Sequence, residues 1–251
     1  MFLDDVIRAA RARSATLSDH PGPGAAPPVR SLGDAIRAAS TPPAVIAEIK
    51  PASPTHGRIR DVPDHGALAR ELAAAGACAL SVLTEPAFFG GAPDRIREVR
   101  AEVGVPILRK DFIVDERQLA ETRTLGGDAV LLIARVLGER LGEFVERSLD
   151  LGLEPVVEVR TVRESDQALT TDASLIGVNN RDLETLKVDL STTSRLGPRL
   201  RAEGRTVISM SGVSSRADLV RLAPHCDAVL IGTTLMRAES PARTLRELCS
   251  A

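Results

Sequence analysis

From residue 44 onward the chain repeats one unit, a short β-branched apolar run followed by a segment of helical character. The runs are Ala44–Ile49, Ala79–Leu83, Val105–Leu108, Ala129–Ile133, Pro155–Val159, Leu175–Val178, Thr206–Ser209 and Ala228–Ile231. Between them lie Pro63–Ala75, Ala92–Glu102, Glu116–Leu125, Arg140–Leu151 and Arg216–Leu222, with Gly76, Gly104, Gly126-Gly127 and Gly152 where helix C-terminal caps belong. Strands alternating with helices pair in parallel through right-handed crossovers. Eight such runs predict a single closed (β/α)8 barrel. An open doubly wound sheet is the alternative, but no G-x-G-x-x-G follows the first run.

Two segments precede the repeat. Residues 1–18 place Phe2, Val6, Ile7 and Ala10 near helical spacing, and Ser31–Ala39 begins with a serine suited to a cap. Between them, His20–Arg30 is too rich in proline and glycine to continue a helix, and Thr41-Pro42-Pro43 ends the second segment. The expected division is a helical extension over 1–43 packed on a barrel over 44–251, with no further boundary.

Composition removes several functions. The 251 residues carry 32 Lys+Arg against 34 Asp+Glu and only 2% aromatics, so the chain has neither the basic surface nor the stacking rings of a nucleic-acid binder. The longest uncharged stretch, Leu72–Thr84, is too short to suggest a membrane span. Asp4, Asp5 and Arg8 stand where a secretory signal needs an apolar core, so a cytoplasmic protein is expected. Cys78, Cys226 and Cys249 lack disulfide or zinc spacing and read as small buried hydrophobes; no metal site is expected.

Barrel chemistry occurs at the carboxyl ends of the strands. Reading only those positions yields Glu48 and Lys50, Thr84-Glu85, Arg109-Lys110-Asp111-Phe112, Ala134-Arg135, Asn179-Asn180-Arg181-Asp182, Met210-Ser211-Gly212 and Gly232-Thr233-Thr234, with Glu158 inside the fifth run. Lys50 and Lys110 are two of only three lysines, the third being Lys187, in a chain that otherwise uses arginine. A desolvated lysine can surrender a proton near neutral pH, which arginine cannot. Glu158, flanked by valines, is a carboxylate where burial is expected, and such Lys/Glu combinations mark acid/base chemistry. Ser211-Gly212 and Gly232-Thr233, with Ser53 after the first run, offer hydroxyls and backbone N–H groups in loops where barrels bind phosphate, beside a helix N-terminus. The residues alone therefore indicate an enzyme acting on a phosphorylated small molecule.

The runs AVIAEIKPASPTHG (Ala44–Gly57), SVLTEPAFFGG (Ser81–Gly91), PILRKDFIV (Pro106–Val114), DAVLLIARVL (Asp128–Leu137), EPVVEV (Glu154–Val159), IGVNNRDLETLKVD (Ile176–Asp189) and VLIGTTLM (Val229–Met236) resemble, in order and spacing, those of the indole-3-glycerol phosphate synthase family of tryptophan biosynthesis. The resemblance implies ring closure, decarboxylation and dehydration of 1-(2-carboxyphenylamino)-1-deoxyribulose 5-phosphate. It implies Lys110 as general acid, Glu158 in the proton transfers of dehydration, Lys50 on the substrate carboxylate with Glu48 orienting it, and Asn179 and Arg181 on the anthranilate portion. Phe89, Phe112 and Leu131 would form apolar walls, while Ser53, Ser211, Gly212, Gly232 and Thr233 would cradle the phosphate. No cofactor is implied, because rearomatisation drives the loss of CO2. A monomer is expected, with association with other enzymes of the pathway as an option.

The chain departs from the family pattern where Met210 replaces a usual Glu, Pro51 a common Arg, and Thr55-His56 a usual Ser-Lys. The first departure raises an alternative, a weakened or catalytically silent barrel that binds a phosphorylated ligand. Phosphoribosylanthranilate isomerase is a further rival, but it would need Cys and Asp where this chain has Glu48 and Asn179.

Overall fold

The structure, a computed structural model, describes residues 2–18, 28–40 and 42–250. Eight strands form the barrel: β1 Ala44–Ile49, β2 Ala79–Leu83, β3 Ile107–Lys110, β4 Ala129–Ile133, β5 Glu154–Val159, β6 Leu175–Asn179, β7 Thr206–Met210 and β8 Ala228–Ile231. Each pairs in parallel with the next, and β8 closes on β1 through Ala44↔Ala228 to Ala47↔Ile231. The chain is thus a (β/α)8 barrel.

The strand period of two divides the core. Val45, Ala47 and Ile49 of β1 pack outward with Leu80, Val82 and the surrounding helices, whereas Ala44 and Ile46 join Leu108, Leu131, Val156, Ile208 and Leu230 inside the barrel. Continuing each inner row toward the carboxyl end brings Glu48, Lys110, Glu158 and Asn179 to the mouth.

Helix α1 (Phe2–Ser14) and helix α2 (Leu32–Arg37) attach the extension to opposite ends of the barrel. Arg13 of α1 bonds Asp111 just beyond β3, and the Phe2 ring meets Phe88 edge-on at 5.4 Å, both at the carboxyl ends. At the amino ends, Glu154 of β5 accepts from Ser31 Oγ and from the backbone N–H groups of Leu32 and Gly33, the unpaired first donors of α2. Asp128, just before β4, accepts from the Arg30 N–H. Ser31 caps the helix as expected, its hydroxyl accepting from Asp34 N–H. Residues 20–27 of the Pro/Gly-rich run, and Thr41, lie outside the described residues.

Three expectations need correction. The third strand is Ile107–Lys110, two residues later than the apolar run Val105–Leu108. Pro106 cannot donate to a ladder, and Arg109 continues the strand fully buried because Asp111, Glu121, Thr84, Thr122 and the Gln118 carbonyl satisfy its guanidinium. Gly104 is not a left-handed cap: its helix, Arg95–Glu102, ends on an extended Val103, whereas Gly126 caps its own helix at φ 92°. Of the cysteines, Cys226 is buried, but Cys78 and Cys249 are half-buried.

Candidate active site

A cavity of about 260 Å³ opens at the carboxyl ends of the strands. Its lining includes Glu48, Lys50, Ser53, Phe89, Lys110, Phe112, Leu131, Glu158, Asn179, Arg181, Ser211, Gly212, Gly232 and Thr233, so every residue assigned a role from the sequence is brought to one place, whereas the strand-end residues Thr84, Glu85, Arg135, Asn180 and Asp182 do not line it.

Two ion pairs stand in this mouth. Lys50 Nζ lies 2.9 Å from Glu48 Oε1, and Lys110 Nζ lies 3.4 Å from Glu158 Oε2. The second pair has a third member: Asn179 Nδ2 donates to Glu158 Oε1 at 2.9 Å, which leaves the other carboxylate oxygen facing the ammonium. Asn179 Oδ1 in turn accepts from the Arg181 backbone N–H at 2.9 Å, and Arg181 Nη1 donates to the Leu186 carbonyl at 2.8 Å. The carboxylates of Glu48 and Glu158 are buried, while both ammonium groups are partly open to the cavity. Burial draws the Arg181 guanidinium below its ordinary range, with Glu48 opposing that shift.

Apolar side chains close the rest of the mouth. Leu131, Ile133, Leu230 and Met210 form its floor, and Phe89 and Phe112 stand together with ring centroids 6.2 Å apart. Met210 is 1% exposed and packs against Gly177, where any Cβ would overlap its terminal methyl. Gly232 is constrained similarly, since a Cβ there would overlap the Glu48 carboxylate. Beside it, the backbone turns sharply after β7, with Ser211 at φ 69° and Gly212 at φ 95°. Thr234 Oγ1 donates to the Val213 carbonyl at 2.6 Å and ties the loops after β7 and β8 together.

Reading strand ends picked out one supporting group without giving it a role. Asp111, fully buried beside Lys110, accepts two bonds from Arg13 at 2.8 and 2.7 Å, one from Thr84 Oγ1 at 2.5 Å, others from Arg109, and one from the Phe112 N–H. Burial alone would raise its carboxyl, but Arg109 and Arg13 hold it below the usual carboxylate range. Its position between Lys110 and Phe112 in LRKDF was a usable signal; the participation of Arg13, far away in sequence, had none. Phe2, Leu83 and Leu186 also line the cavity without having been singled out.

A closed parallel barrel with paired lysines and carboxylates at the carboxyl mouth defines a (β/α)8-barrel enzyme. Comparison with known proteins specifies which. The family model described as indole-3-glycerol phosphate synthase matches residues 5–248. The indole-3-glycerol phosphate synthase of Methanopyrus kandleri is 43% identical over 227 residues, covering 88% of this chain and 89% of that protein. That of Aquifex aeolicus is 46% identical over 208 residues, covering 81% and 80%. Indole-3-glycerol phosphate synthase 2 of Streptomyces coelicolor is 45% identical over 226 residues, covering 89% and 86%. The chain belongs to the indole-3-glycerol phosphate synthase family. A solved tryptophan synthase chain from M. tuberculosis superposes with a TM-score of 0.66 at 16% identity, covering 89% of this chain and 98% of that one, a likeness of fold alone. Among the described residues no helix is long and apolar enough to cross a membrane.

Proposed function

We propose that this chain is a carboxy-lyase that converts 1-(2-carboxyphenylamino)-1-deoxyribulose 5-phosphate to indole-3-glycerol phosphate, CO2 and water, acting as a cytoplasmic monomer. The observation that carries this reading is the Asn179–Glu158–Lys110 arrangement, set across an apolar mouth from the Lys50–Glu48 pair. A proton donor and a proton acceptor are thereby held in contact on one side, and a cation for an anionic group stands on the other.

In this mechanism the substrate's aromatic ring lies between Phe89, Phe112 and Leu131, with its carboxylate on Lys50 and its phosphate among Ser53, Ser211, Gly212, Gly232 and Thr233. Arg181 holds the anthranilate portion. The ring carbon bearing the carboxylate attacks the ribulose carbonyl carbon, and Lys110 gives its proton to the carbonyl oxygen as the carbon–carbon bond forms. The carboxyl carbon leaves as CO2, and the electron pair of its bond restores the aromatic ring. The new hydroxyl then departs as water after protonation, while Glu158 moves the protons of dehydration. Glu48 keeps the Lys50 ammonium in place, and Asn179 keeps Glu158 turned toward Lys110.

Incubation with the carboxyphenylamino-deoxyribulose phosphate, followed by indole fluorescence, tests the reading. The expected result is stoichiometric product. Retained ligand binding with no product at high enzyme concentration would reject it.

A further inference from the structure

The loop after β1 carries a polar cluster of which the mechanism above uses only Ser53. Ala52–Ser53 and Gly57–Arg58 pair as a short antiparallel ribbon, and its turn presents Ser53, Thr55 and His56 together. Thr55 Oγ1 lies 2.8 Å from His56 Nδ1, Ser53 Oγ lies 3.3 Å from the same nitrogen, and the two hydroxyls are 3.4 Å apart. Ser53 and Thr55 line the same cavity as Gly212 and Gly232. The imidazole, itself outside the cavity lining, thus touches the hydroxyls of two residues that line it.

Its surroundings are cationic. His56 is exposed, and its imidazole is held below the ordinary histidine range first by partial desolvation and then by Arg237 in the helix after β8, Arg181 beyond β6 and Lys50 beyond β1. Glu48, a carboxylate of the same cavity, is engaged by Lys50. Lys50 and Arg181 line the same cavity as the two hydroxyls, and cations beside hydroxyl donors suit a dianion.

We propose that His56 is an additional phosphate ligand of this mouth, taking up a proton from solvent as the phosphate seats. In the free protein the neutral ring lets Nδ1 accept from a hydroxyl. A phosphate dianion at Ser53 and Thr55 offsets the surrounding cations and favours the imidazolium, whose N–H then donates to the phosphate directly or through Thr55. The inference rests on the phosphorylated substrate proposed above.

Binding of inorganic phosphate separates the two claims, because it requires no turnover. The His56 ring resonance, assigned by its loss in His56→Gln, should titrate at higher pH when inorganic phosphate is added. Phosphate should bind His56→Gln several-fold more weakly than wild type at pH 6, with the ratio falling toward one by pH 8; each pH unit of upward movement in the His56 midpoint corresponds to about a tenfold gain in affinity. His56→Lys should bind phosphate tightly at both pH values. A His56 titration that stays in place while phosphate-31 line broadening reports binding, or a ratio that does not change with pH, would overturn the proposal.

Discussion

Glu158 is held from two sides at once: Asn179 donates to one oxygen at 2.9 Å, and the Lys110 ammonium stands 3.4 Å from the other. The carboxylate cannot turn away from the lysine without losing its amide donor, so donor and acceptor keep a fixed relation before substrate arrives. Lys110→Arg preserves the charge but removes a group that can release its proton. It should lower kcat by about 10²–10⁴-fold while far-UV circular dichroism and Tm stay near wild type. Near-normal turnover would remove Lys110 from the general-acid role.

Met210 packs into the space that Gly177 leaves by lacking a side chain. Gly177→Ala should cost about 1–3 kcal/mol through overpacking. Met210→Ala vacates that space, so the double variant should be more stable than the sum of the single effects implies, by roughly 0.5–3 kcal/mol. Urea unfolding of the four proteins measures the coupling; strict additivity would show that the two side chains do not share the space.

Arg13 and Asp111 fasten α1 beside the mouth. Arg13→Ala removes a charge-assisted bond from a buried carboxylate and should destabilise by about 1.5–3 kcal/mol, read as a lower urea midpoint at pH 7.

The Asp111 carboxyl is held below the ordinary value of an aspartate in the fold, so the folded chain binds this proton less readily than the unfolded chain does. Its stabilisation is complete above that value and is lost as pH falls through the depressed folded one. Asp111→Asn should therefore be less stable than wild type at pH 7, with the two stability curves converging below about pH 4. Parallel curves down to pH 2 would show that the carboxylate is not the source.

Lys187 is exposed beyond the NNRDLETL segment and does not line the cavity. Lys187→Arg should leave turnover unchanged and stability within about 0.5 kcal/mol, in direct contrast to the same substitution at Lys110.

Much of this protein was legible as a line of letters. Glu48 and Glu158 could be assigned to the mouth because each stands near the carboxyl end of an apolar run, where a barrel places its chemistry. Lysine stood out at positions 50 and 110 because arginine supplies almost every other cation. The third strand was misplaced for the converse reason: Arg109 looks like a strand's end, and its full burial depends on Asp111, Glu121 and Thr84.

By itself the sequence determined the repeat, the parallel closure and the chemical types at the mouth, since all of these follow from local periodicity and the residues adjoining each run. Tertiary structure alone decided that Asn179 turns Glu158 toward Lys110, that α1 and α2 grip opposite ends of the barrel, and that Met210 lies on Gly177. These are contacts between segments separated by tens of residues or more. Side-chain reach and available space select them once the barrel has closed, and no local period encodes either.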